Sequence, residues 1–272
     1  MSKIRFLNFF RQSIPICLYF WSMQYGICPL SIVPLRAEPK NTSEQTSQLL
    51  YGEFFAVVDA RKSWSKIKNE SDGYEGWINN KHFLIIEKAN FQKLQNKPKV
   101  YSSELVDFIW KGNEILFPTP IGSQVSSAQT LGHRFEGKQL ENPKSKDNLV
   151  NTALHYLNSP YMWGGKSPFG IDCSGFVQCV YQLHGVQLPR DAYLQAEHGE
   201  TLGFIDESEA GDLAFFDDEE GKITHVGIIM SNYHIIHAFG QVRIDRLDQT
   251  GIFNNALNKH THKLRVIKKI EF

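Results

Sequence analysis

A chain of 272 residues is long enough for one catalytic domain with one or two small modules. Its 42% hydrophobic and 21% charged residues fit a globular protein and exclude wholesale disorder. Twenty-nine basic residues balance 29 acidic ones without a basic stripe, so nucleic-acid binding has no electrostatic footprint here.

Lys3, Arg5 and Arg11 precede a mostly apolar stretch from Ile14 to Trp21 that weakens toward Val33. A basic flank and a short apolar run read as an export signal. Residues 1–37 are therefore expected as a targeting segment, with cleavage after Ala37. Pro15, Gln24, Pro29 and Pro34 interrupt any continuous span of about 20 apolar residues, so no stable membrane span is expected in the mature chain. Of four cysteines, Cys17 and Cys28 fall in this segment. Cys173 and Cys179 lie six apart on one predicted helix, about 9 Å along its axis and on different faces, which does not suit a disulfide. No cysteine–histidine cluster has zinc-ligand spacing, and neither metal nor other cofactor is expected.

Glu38 to Ser47 is polar, contains Pro39 and reads as a linker. Residues 48–90 carry short strand patterns at Phe54–Val58, Trp64–Lys68, Trp77–Ile78 and Phe83–Ile86, punctuated by Gly52, Asp72-Gly73 and Asn79-Asn80. Such spacing predicts a small β-barrel. Residues 95–140 repeat the style less clearly, with Pro118, Pro120 and Gly122 as breakers, and Gln139 to Asp147 connects onward.

Residues 147–272 change character. Asn148–Leu157 predicts a helix, and Ser159–Gly170 a Pro/Gly-rich loop. Phe176, Val177, Val180 and Leu183 then recur at helical spacing until Gly185 stops the run. Asp172 is placed to cap this helix, with Cys173 at its first position. Leu213–Phe216, Val226–Met230, Tyr233–Phe239 and Lys263–Ile270 predict strands of an antiparallel sheet. Helices first and sheet second define an α+β domain of papain-like character.

A cysteine at the first turn of a helix is favoured as a thiolate by the helix dipole and a neighbouring imidazolium. A lone cysteine is as often a small core residue, which is the reading for Cys179. His225 and His237 sharpen the case for Cys173. On adjacent antiparallel strands joined near Ser231-Asn232 they share a face only if the loop has an odd count or a bulge. In that event His225 is the base and His237 the group fixing its tautomer. Most of the other eight histidines, including His155, His184 and His198, read as ordinary core or surface side chains.

Tyr161-Met162-Trp163-Gly164-Gly165, Asp172-Cys173-Ser174-Gly175-Phe176, Leu188-Pro189-Arg190-Asp191-Ala192, Gly211-Asp212-Leu213 and His225-Val226-Gly227 occur in that order. Together they resemble the NlpC-type cell-wall cysteine peptidases, from about Asn148 to Phe272. Upstream, Leu50-Tyr51-Gly52-Glu53, Trp64 and Asp72-Gly73-Tyr74-Glu75-Gly76-Trp77 resemble the bacterial SH3-like modules of one branch, the γ-D-glutamyl-L-diamino-acid endopeptidases that cut murein stem peptides. The twelve-residue interval from His225 to His237 agrees with that branch.

The resemblance implies Cys173 as nucleophile, His225 as base, His237 as orienting residue and Tyr161 beside the catalytic centre. It implies Trp163, Asp172, Ser174 and Asp191 along the substrate groove. An acid and a tyrosine from the first SH3-like module would hold a free L-alanine amine, and the matching candidates are Glu53 and Tyr74. Ala192 stands where many relatives carry serine, which leaves one substrate hydrogen bond to another donor. The expected protein is thus a papain-like domain preceded by one or two SH3-like barrels, acting on murein-derived peptides. It would be exported to the periplasm or envelope, bind no nucleic acid and act as a monomer. Another papain-like murein amidase, or a wall-binding protein without catalysis, are the alternatives.

Overall fold

The computed structural model describes residues 23–141 and 145–272. The expected targeting motif from Lys3 to Trp21, with Cys17, lies outside these residues. The part of that segment from Met23 onward does not behave as a leader. It supplies β1 (Gln24–Ile27) and β2 (Ile32–Arg36) to the N-terminal barrel. These are followed by β3 (Gln45–Leu50), β4 (Phe54–Ala60), β5 (Trp64–Asn69), β6 (Glu75–Asn79) and β7 (Leu84–Ile86). The sheet order is β3-β2-β6-β5-β4-β1-β7. Cys28, Val33 and Leu35 are buried with Leu49, Phe55, Ile67 and Ile78 in one core. The expected boundary at Ala37 is corrected, since a cut there would remove β1 and β2 from the sheet.

Pro34 explains why the sequence pattern hid β2. A proline within an apolar run demotes it as a strand, because the ladder loses a donor. Here β2 meets β6 only at Arg36↔Trp77, leaving Pro34 paired on one side with Gln48. The expected linker from Glu38 to Ser47 is likewise shorter, since β3 begins at Gln45. Helix α1 (Lys88–Asn96) closes the barrel's other face, burying Phe91 and Leu94 against Ile27 and Phe54.

The second module is a three-stranded sheet beside a short ribbon. β8 (Tyr101–Ser102) pairs with β12 (Gln139–Leu140), while β9 (Val106–Lys111) lies between β10 (Glu114–Pro120) and β11 (Arg134–Phe135).

In the C-terminal domain α2 (Leu149–Leu154) is followed by the hairpin β13 (Lys166–Ser167) and β14 (Gly170–Ile171). The central helix α3 (Cys173–Leu183) and the short α4 (Ala192–Gln195) come next. The remaining strands are β15 (Glu200–Leu202), β16 (Leu213–Asp217), β17 (Ile223–Met230), β18 (His234–Phe239), β19 (Gln241–Leu247), β20 (Gly251–Asn254) and β21 (Lys259–Lys269). Their order is β15-β21-β16-β17-β18-β19-β20, and a further pairing of β20 with β21 closes the ring into a barrel. Alternation divides its side chains. Leu213, Phe215, Val226, Ile228 and Ile236 face α3, whereas Ala214, Phe216, Ile229, Ile235 and Leu247 fill the interior. Every residue of α3 is buried, so the helix is a core element whose first turn meets the cleft between the domains.

Candidate active site

The helix start is built before the thiol is. Asp172 caps α3, its Oδ1 accepting from the Gly175 N–H at 2.7 Å, and its Oδ2 accepts from the Gly164 N–H at 2.8 Å. Arg190 grips the same carboxylate with both terminal nitrogens, at 3.0 and 2.6 Å, and also donates to Ser174 Oγ at 2.9 Å. The guanidinium fork suits such bidentate gripping, and both partners are buried. Gly175 has to be glycine because a Cβ would overlap the Gly165 carbonyl. The Trp-Gly-Gly loop is therefore pressed directly onto the helix that carries Cys173.

The Cys173 thiol lies against the backbone of β17, with Sγ 4.0 Å from the Thr224 carbonyl oxygen, one residue before His225. Burial, with Asp172 adding to it, pushes the thiol up to about 12. Burial, with His237 and His262 beside it, holds His225 well below the usual histidine value. Burial, and then Asp172, thus oppose the thiolate that the helix dipole favours.

The loop from β17 to β18 is Ser231, Asn232 and Tyr233, an odd count, with positive φ of 58° and 56° at the last two. Gly227 pairs with His237, so His225 is the diagonal neighbour of His237 on one face. The rings meet with His225 Nε2 and His237 Nδ1 2.8 Å apart. A Cβ at position 227 would stand 2.9 Å from His237 Cβ, so the glycine leaves room for that ring. His237 continues to Asp245 on β19, Nε2 to Oδ2 at 3.0 Å. His262 from β21 stacks on His225 with centroids 4.1 Å apart, and desolvation holds its half-buried ring down to about 4. Tyr161 shares a small cavity with His225, Phe239 and His262. Burial first, then Cys173, pushes its hydroxyl up to about 12, which keeps it a hydrogen-bond donor.

A larger cavity of ≈ 430 Å³ opens over the thiol. The catalytic domain contributes Trp163, Asp172, Cys173, Ser174, Asp191 and Lys222 to its lining, and the SH3-like domain contributes Glu44, Thr46 and Tyr74. Glu53 is not there. It lies buried on the Lys166 ammonium at 3.1 Å, each side chain 2% exposed, and also accepts from the Leu50 N–H at 2.6 Å. Its expected contact with a substrate amine is corrected: Glu53 joins the two domains. The acid that faces the cavity beside Tyr74 is Glu44, whose Oε1 accepts from Trp163 Nε1 at 2.6 Å. Glu44 stands in the stretch read as a linker, and only the strand pattern of β3 could have moved it into the barrel wall. Asp245 was also missed, because β19 shows charged residues where an inward apolar set is expected.

The domains are joined by further polar contacts. The Lys166 N–H donates to Gln48 Oε1 at 2.8 Å, Arg190 Nε to Ser47 Oγ at 3.1 Å, and Gln178 Nε2 to Asp72 Oδ2 at 3.0 Å. Cys28, Cys173 and Cys179 are all free. Among the described residues no helix is long and apolar enough to cross a membrane.

A cysteine at a helix start, a histidine on the neighbouring barrel and a second domain walling the cleft define a papain-like cysteine peptidase with an SH3-like partner domain. Residues 158–264 match the NlpC/P60 family, and residues 35–83 match the bacterial dipeptidyl-peptidase Sh3 domain. It is 29% identical over 217 residues to a gamma-D-glutamyl-L-lysine dipeptidyl-peptidase of Bacillus subtilis, covering 71% of each chain. A protein of the same name from Bacillus cereus is 28% identical, over 73% of this chain and 68% of that one. The fold is shared with the crystal structure of a NlpC/P60 family protein from Bacillus cereus, at a TM-score of 0.70 and 20% identity, over 91% of this chain and 99% of that one.

Proposed function

We propose that the protein hydrolyses the γ-D-glutamyl–L-diamino acid bond of murein stem peptides that begin with a free L-alanine. The single observation behind this reading is a cavity in which the Cys173 thiol and the Glu44 carboxylate line one space from opposite domains. A peptide whose ammonium rests on Glu44 and Tyr74 is held by its N-terminus while its interior reaches the thiol. Lys222 offers a cation to the carboxylates such a peptide carries, and Trp163, Ser174 and Asp191 border its path.

Cys173 Sγ attacks the γ-carbonyl carbon as its proton passes to His225, and His237 orients that imidazole. The Cys173 amide and the Tyr161 hydroxyl stabilise the oxyanion. The amine leaves with the proton from His225, and water then cleaves the thioester. One relative, from Bacillus subtilis, is named a bifunctional muramidase/DL-endopeptidase, which supports action on murein outside the cytoplasm, and Lys3 to Trp21 would serve as the export signal. We take the active unit to be a monomer without nucleic-acid partners.

The test is digestion of L-Ala-γ-D-Glu-L-Lys, its diaminopimelate analogue and their N-acetyl forms, with products identified by mass spectrometry. Release of L-Ala-γ-D-Glu from the free peptides alone is expected. Equal cleavage of blocked and free peptides would favour the broader amidase reading, and no cleavage by the intact chain would favour a wall-binding role.

A further inference from the structure

The catalytic histidines do not end the hydrogen-bond chain. Asp245 is buried at the far side of His237, and its carboxylate is itself held. Arg243 Nε lies 2.7 Å from Oδ2, and an Arg243 terminal nitrogen donates to Oδ1 at 3.0 Å. Burial alone would raise Asp245, but the bonds from His237 and Arg243 hold it below the usual carboxylate range. It is therefore a carboxylate, which can only accept. Burial, partly opposed by Asp245, leaves His237 below its ordinary value, so that ring carries a single proton.

From these facts the protons can be placed one ring at a time. Asp245 Oδ2 needs a donor at 3.0 Å, so the proton of His237 sits on Nε2. His237 Nδ1 is then a bare acceptor. Its partner at 2.8 Å, His225 Nε2, must carry the second proton. That leaves Nδ1 of His225 bare. Nδ1 is the ring nitrogen nearest its own main chain, and the thiol sits against the main chain of Thr224, the preceding residue.

We propose that Asp245 is a positioning residue that sets the tautomer of both histidines and so leaves His225 Nδ1 free to take the thiol proton. The inference rests on the roles given above to Cys173, His225 and His237. When the S–H proton moves to Nδ1, the sulfur lone pair forms the S–C bond and the carbonyl π pair moves to oxygen. His225 becomes an imidazolium whose Nε2–H points at a lone pair of His237, which Asp245 polarises from behind. An opposite tautomer at His237 would aim a lone pair at the carboxylate and a proton at the proton of His225.

Nitrogen-15 NMR of the imidazoles in the full chain at neutral pH tests the placement without any substrate. Protonation of both His225 and His237 at Nε2 alone is expected, and a proton on His237 Nδ1 would overturn the proposal. Kinetics add a second arm. Asp245→Asn should lower kcat by at least about 20-fold with KM within about twofold, because the interaction matters only as the imidazolium forms. In a His237→Asn background the same change should cost less than about twofold, since Asp245 acts only through that ring. An equal loss in both backgrounds marks a merely structural role and overturns the idea. Should Cys173→Ala stay as active as the intact chain, the peptidase reading itself fails, an outcome separate from the NMR result.

Discussion

The two walls of the cleft are built on opposite principles. On the catalytic wall Cys173, Asp172, Arg190, His225 and His237 are buried, with Asp172 paired to Arg190 at the helix start and His225 set between His237 and His262. On the SH3-like wall the facing acid is exposed, and one of its oxygens is held by the indole of a Trp163 that is itself 61% exposed. The first wall holds its polar groups in a buried network, and the second leaves a charge in water. Glu53 and Glu44 show the difference within one domain. The buried carboxylate holds the walls together, and the exposed one lines the cavity.

The comparison breaks most severely at the thiol. Cys173→Ala should lower kcat by about 10⁴-fold or more while peptide binding, measured by calorimetry, stays intact, and His225→Ala should do nearly the same because the groups act as one unit. Residual activity near that of the intact chain would remove the nucleophile from the mechanism.

Next in size is the join between the walls. Glu53→Leu strands the Lys166 ammonium in a dry interface and should cost about 3–5 kcal/mol of stability, read from the urea midpoint. The surviving folded protein should keep its preference for free-amine peptides. A loss of that preference at unchanged stability would return Glu53 to the substrate.

Glu44→Gln sharpens the contrast. It should reduce kcat/KM on L-Ala-γ-D-Glu-L-Lys by about 2 kcal/mol, roughly 30-fold, as for a lost charge partner. N-acetylated peptide should be cleaved as poorly as before. An unchanged rate on the free peptide would mean that the amine is held elsewhere.

Acid should loosen the catalytic wall before the other. His262 binds its proton near about 4 in the folded chain, against about 6.5 when unfolded. As pH falls the unfolded chain takes the proton first, so stability present above about pH 6.5 is lost down to about pH 4. His225 and His237 are shifted the same way. Urea midpoints at pH 7, 5.5 and 4 should fall in that order, and a midpoint that rises on acidification would contradict the burial of these rings. The smallest effect belongs to Cys179→Ala, which removes one buried sulfur and should leave kcat within about twofold.

What could be read from the chain beforehand follows the same division. The Asp-Cys-Ser-Gly turn, the helix behind it and the two histidine strands are local patterns, and the odd loop from Ser231 to Tyr233 needed only a count. The other wall is assembled from distant pieces. Prolines at 29 and 34 disguised β2 as a failed apolar span, although a strand paired on one side tolerates a proline. Glu44 lies just before β3 among small polar residues that resemble any linker. Asp245 is an inward charge, and an inward charge looks like a strand out of register until the ring it serves is seen.

The closure of the C-terminal ring limits how a peptide can be read. β17 and β18, which carry the histidines, each have a hydrogen-bonded neighbour on both sides, β16 and β18 for the first and β17 and β19 for the second. No row of free amides is left on them for a ligand to join as an extra strand. At these two strands recognition by backbone ladder is closed off, and what remains there is recognition by charge, ring and end group. That suits a γ-linked substrate, since a glutamyl residue joined through its side chain spaces its amides unlike an ordinary peptide and would fall out of step with any sheet edge.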